Sequence, residues 1–130
     1  MASNPVYQAH KAQALHNHNF VQSLSPTKPQ FPDWVITGCF YMALHCVNAH
    51  AAKKGWKWKR YSRKDPFKIS RHTQTLRYVQ KKLGTPVFKG YLRLYQECWN
   101  ARYDPFFLNK ISSSMAGRLF SIAAKFLSYV

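Results

Sequence analysis

The sequence predicts an all-α fold of five helical segments in a single domain over residues 1–130. Three observations carry that expectation. Apolar residues recur at helical spacing through most of the chain, period-2 alternation is nowhere long enough for a sheet, and prolines, glycines and serines punctuate the periodic stretches. With 130 residues, 46 % of them hydrophobic and 16 % aromatic, there is enough apolar material for one core.

Asn4 followed by Pro5 is a cap and first-turn pair, and Val6, Ala9, Leu15, Phe20 and Leu24 then recur loosely at helical spacing. A first helix to about Leu24 follows. Ser25 to Pro32 contains three prolines in eight residues and must be a connector. The second helix is the centre of the chain: after Asp33, the nineteen residues Trp34 to Ala52 carry no formal charge. Asp33 is expected to cap its start, and Lys53, Lys54 and Gly55 to end it. Val35, Cys39, Met42, Cys46 and Ala49 lie on one face while Ile36, Phe40, Ala43 and Val47 lie on another, so this helix must be covered from both sides. His45, Asn48 and His50 would need polar partners in hydrocarbon, which argues against a membrane span.

Ser70 opens a third helix with Leu76, Val79 and Leu83 on one face, stopped by Gly84, Thr85 and Pro86. A fourth starts at Pro86, buries Val87, Tyr91, Leu94, Tyr95 and Cys98 with Phe88, Leu92 and Trp99 beside them, and ends where Pro105 disfavours helix at Asp104. Ser112, Ser113 and Ser114 offer a cap for an extra C-terminal helix over 112–130, its inner face Met115, Leu119, Ile122 and Phe126.

The segment from Lys53 to Arg71 fits no amphipathic helix. It holds nine basic residues and one acid, interleaved with Trp56, Trp58, Tyr61 and Phe67. In an extended chain Trp56 and Trp58 share a face opposite Lys57 and Lys59, a ribbon with a stacking side and a charged side. Bases stack on aromatic planes while phosphates take cations, so this loop over 53–69 suits RNA. Its candidate contacts are Lys53, Lys54, Trp56, Lys57, Trp58, Lys59, Arg60, Tyr61, Arg63, Lys64 and Lys68, with Arg71 and His72 at the border of the next helix. The competing expectation is that the tryptophans tuck back onto the helices and the lysines are merely solvated.

Charge points to the same class of partner. Twenty Lys and Arg against four acids give +16, a self-repelling excess that a polyanion would neutralise. The basic residues are spread over the chain and not confined to one flank of a hydrophobic anchor, which favours nucleic acid over a membrane surface. Four acids exclude a site built on clustered carboxylates, and neither a nucleotide-binding glycine loop nor a serine nucleophile elbow is present. His10, His16 and His18 do not share a helix face, and Cys46 with His50 lacks two further ligands, so no metal or other cofactor is expected. Cys39, Cys46 and Cys98 form no complete disulfide framework, and the first twenty residues lack the apolar core of a secretory signal; reduced thiols in a cytoplasm are expected.

A DWxxTxCFYxALH helix, a basic loop, SRH opening the next helix and ARY closing a later one form a recognisable pattern. It is carried by Asp33, Trp34, Phe40, Tyr41, Ala43, Leu44 and His45, with Arg71, His72, Ala101, Arg102 and Tyr103. The pattern resembles small proteins of the HEPN (higher eukaryotes and prokaryotes nucleotide-binding) superfamily over roughly Pro5 to Asp104. That resemblance implies an up-and-down bundle of four to five helices, a homodimer, and a protein that binds or cleaves RNA. Catalytic members carry an arginine followed four to six residues later by a histidine that serves as acid or base on a 2′-hydroxyl. Arg102 matches the arginine, but no histidine follows it, nor any other arginine, at that spacing. The expected function is therefore a non-catalytic protein docking on structured RNA, in a ribonucleoprotein such as a ribosome. Two alternatives stand beside it: a toxin-like RNA endonuclease with a displaced site of His45, His72 and Arg102, and a nucleotide-binding partner subunit of a nucleotidyltransferase.

Overall fold

The computed structural model describes residues 4–112 and 114–130. It is all-helical, with no strand among the described residues. Among the described residues six helices follow in order: α1 Pro5–Ser23, α2 Pro32–Lys53, α3 Arg71–Tyr78, α4 Thr85–Tyr103, the short α5 Phe107–Lys110, and α6 Met115–Ala124. α3 continues into a π-helical turn, Val79–Leu83, and α6 into a 3-10 turn, Lys125–Tyr129.

Asn4 caps α1 as its residue type requires, its side-chain oxygen accepting from the Tyr7 N–H at 3.0 Å. Its Nδ2 donates to the Ala52 carbonyl at 3.0 Å, so the same side chain ties the start of α1 to the end of α2. Ser70 caps α3 in the expected way, accepting from the Thr73 N–H. Asp33 does not cap α2. The helix starts at Pro32, with Phe31 at the cap position and Asp33 inside the first turn, where its carboxylate faces the positive end of the helix dipole. α6 begins at Met115 and no serine side chain caps it through Ser114; Ser113 lies outside the described residues.

α2 is the axis of the bundle. It packs against α1, α4 and α6 and touches α5, while α4 packs on α6 and supports α3. Val35, Ile36, Cys39, Met42, Ala43, Cys46 and Val47 are completely buried, and Phe40 almost so. Both apolar faces are covered within one chain: Phe40 meets Tyr91 and Tyr95 of α4 and His72 of α3. Gly38 lets α1 approach α2 closely, because a Cβ there would stand 2.6 Å from a Val21 methyl. Gly38→Ala should lower stability by about 1 to 3 kcal/mol through overpacking, read in a denaturant titration.

The three cysteines are free and buried, and burial pushes the Cys39 and Cys46 thiols up to about 12, which keeps them protonated and unreactive. On α4, Tyr91, Leu94 and Cys98 turn inward as expected, whereas Trp99 stays 57 % exposed. No helix among the described residues is long and apolar enough to cross a membrane.

Candidate nucleic-acid interface

The loop after α2 is held by the helices on both sides of it. Gly55, at φ 72, takes the left-handed turn that ends α2, and the Trp56 N–H donates back to the Ala51 carbonyl at 2.9 Å. Gln74 of α3 then clasps the loop: its Oε1 accepts from the Lys59 N–H at 2.8 Å while its Nε2 donates to the carbonyls of Lys59 and Ile69. Asp65, the loop's single acid, accepts from the Phe67 N–H in a local turn. It neutralises no cation of the loop.

Trp56 and Trp58 do share a side, edge to face with each other and both against Tyr78 of α3. They differ in what remains open. Trp58 is half-buried on the core with the Arg71 guanidinium 4.1 Å above its ring, whereas Trp56 is 38 % exposed with the Lys82 ammonium near its ring. Arg71 also donates from Nη2 to Oδ1 of Asn48 at 3.1 Å, so one guanidinium bridges α3, the loop and α2. Tyr78 is fixed in turn by His50 Nδ1, 2.8 Å from its hydroxyl.

A groove of about 750 Å³ opens between this loop, α1 and α2. Trp56, Lys57, Trp58, Lys59, Arg60, Tyr61, Lys68 and Arg71 line it, and no acid does. Lys53, Lys54, Arg63 and Lys64 are exposed but do not line it, and His72 faces elsewhere. The groove also takes His10, Asn48 and Gln74, which sequence reasoning did not place there. Asn48 had one signal, a carboxamide in an otherwise apolar helix, while nothing in the order of residues links His10 to Arg71.

His72 and Arg102 line a second pocket of about 380 Å³ with Tyr41, Tyr95, Trp99 and Tyr103. Arg102 donates from Nη1 to the Tyr41 hydroxyl at 2.8 Å and lies 5.0 Å over the Tyr103 ring. Among the described residues it pairs with no acid. Asp104 instead binds the Phe106 N–H and Lys110, which together draw its carboxyl below the usual range. His45 is not in this pocket: its Nδ1 stands 3.0 Å from His10 Nδ1, one ring donating to the other. No group of three metal-ligating side chains occurs among the described residues.

Burial lowers the pKa of His10, His45 and His72. Arg71 adds to the effect at His10, His10 at His45, and Arg102 with Arg71 at His72. Below the ordinary value of 6.5 the unfolded chain then binds more protons than the native one, so stability is greatest above that pH and is lost as pH falls toward the lowered native values. The melting temperature should drop on acidification through this window, and the drop should shrink in a His10→Gln variant. A melting temperature unchanged between neutral pH and the lowered values would contradict the burial of these rings.

Compared with protein-family models, curated proteins and solved structures, the chain finds no match.

Proposed function

We propose that this protein is a non-catalytic, HEPN-like RNA-binding protein that docks on structured RNA within a ribonucleoprotein. The observation that carries this reading is the groove between α1, α2 and the basic loop: five cations, two tryptophans, one tyrosine and no carboxylate around one opening. Cations without acids make a site for a polyanion, and exposed aromatic edges select one whose monomers stack. The +16 net charge supports the same partner, because burial in RNA relieves the self-repulsion. The HEPN resemblance of the DWxxTxCFYxALH helix and of SRH and ARY agrees with a bundle of this size.

One observation favours a second reading, an RNA endonuclease. His72 and Arg102 share a pocket, and His72, its pKa lowered, is a neutral imidazole at physiological pH able to accept a proton. Incubating the purified protein with total RNA separates the two. The binding reading expects a salt-sensitive complex with RNA left intact; cleavage that disappears in an Arg102→Ala variant would overturn it in favour of the endonuclease.

A further inference from the structure

The two pockets lie along one stripe of α2. Tyr41 and His45, then Asn48 and Ala52, follow at i, i+4, i+7 and i+11, which places them in one stripe along α2. Tyr41 lines the pocket of Arg102, while Asn48 and Ala52 line the groove of the loop. His45 lies between, held by His10 from α1. The start of α3 stands beside both, since the consecutive residues Arg71 and His72 line the groove and the pocket respectively.

Two arginines lean onto this stripe from opposite ends. Arg102 bonds the Tyr41 hydroxyl and Arg71 bonds the Asn48 carboxamide, anchor points about 10 Å apart along the helix axis. Neither guanidinium is neutralised by a carboxylate, and no acid lines either opening. Aromatic planes stand at both ends, Trp56 at one and the Trp99–Tyr103 pair, centroids 4.4 Å apart and more than half exposed, at the other. Cations spaced along a seam with stacking surfaces at its ends match an unpaired strand, whose bases are free to turn onto aromatic rings. A duplex keeps its bases stacked inside and offers phosphates alone.

We infer that the stripe from Tyr41 to Ala52 is a track for a single-stranded segment of RNA, running from the Arg102 pocket past His45 to the groove of Trp56 and Arg71. The track rests on the RNA-binding reading and adds to it which form of RNA is held and along what path. From Tyr41 to Ala52 the helix rises about 16 Å, which at about 3.4 Å per stacked nucleotide accommodates about five, fewer if the strand is extended.

Fluorescence anisotropy of the full chain with labelled di-, tetra-, hexa- and octanucleotide RNAs and a blunt RNA duplex tests it. Affinity is expected to climb up to the hexamer and then level, with the duplex bound at least about tenfold more weakly than the hexamer. Arg102→Ala, a change at an exposed side chain, should weaken the hexamer about tenfold, because the phosphate contact at one end of the track is lost. Melting curves identify any variant that fails to fold, and Tyr103→Ala then tests the same end of the track. If the hexamer gains nothing over the dinucleotide, if the duplex binds equally well, or if polyglutamate displaces the hexamer as readily as RNA of equal charge does, the track is overturned while RNA binding as such stands. If no RNA of any length binds, the RNA-binding reading falls and the track with it.

Discussion

Replacing Met42 by lysine should unfold the protein or bring it to the edge of unfolding at room temperature. Met42 is completely buried at the middle of α2, the helix against which α1, α4 and α6 all pack. An ammonium there would have no acid to pair with, since all four acids of the chain lie elsewhere, in the loop, at the start of α2 and in and just after α4. A buried charge left unpaired is among the few single changes that exceed about 4 kcal/mol, against a total stability of about 5 to 15 kcal/mol for a domain of this kind. Met42→Leu keeps volume and polarity and should cost less than about 1.5 kcal/mol. Urea titrations followed by circular dichroism distinguish the two, and a lysine variant melting within a degree or two of wild type would refute the buried position. Phe40→Ala probes the opposite face. Because Phe40 packs on α3 and α4 of its own chain, its loss should lower stability by about 3 to 5 kcal/mol and not merely dissociate a dimer.

The largest effect on binding should come from removing Lys57, Lys59 and Arg60 together. All three line the groove and are exposed, so the triple alanine variant should fold normally while losing phosphate contacts. Each lost contact removes about 0.7 to 0.9 from the slope of log affinity against log salt, and the triple variant should flatten that slope by about two to three. At low salt, where counterion release contributes most, the loss of affinity should be greatest. The tryptophans should behave differently from the lysines and from each other. Trp56, the more exposed, should weaken RNA binding by about five- to a hundredfold on truncation with the salt slope nearly unchanged, since stacking releases no counterions. Trp58 lies between the core and Arg71, so Trp58→Ala should also lower the melting temperature and free Arg71 from its place over the groove. If both tryptophan variants melt early yet bind normally when folded, the loop is a clasp and the binding surface lies elsewhere.

The sequence by itself determined the helices and most of their ends. Asn4 with Pro5, Ser70 and Gly55 act on backbone groups within a few residues, so their effect is readable locally. The same holds for the burial of α2, where nineteen uncharged residues admit no exposed placement in a protein this charged. The cap of α2 lies two residues before Asp33, at Phe31, because Pro32 already has the backbone angle of a first helical turn. The short α5 was missed because four residues carry no period.

Only the tertiary structure decided which polar residues meet. His10 with His45, Arg71 with Asn48 and Arg102 with Tyr41 are separated by 35, 23 and 61 positions, and no local rule relates them. It also separated His45 from Arg102 while placing His72 in the same pocket, because His45 points toward α1 whereas α3 begins beside Phe40 and Tyr95 of the neighbouring helices. The two tryptophans diverge for the same reason. Alternation in the loop puts both on one side, but how deeply each is covered depends on Tyr78 and Arg71, which arrive from a helix that the loop must first fold back to reach.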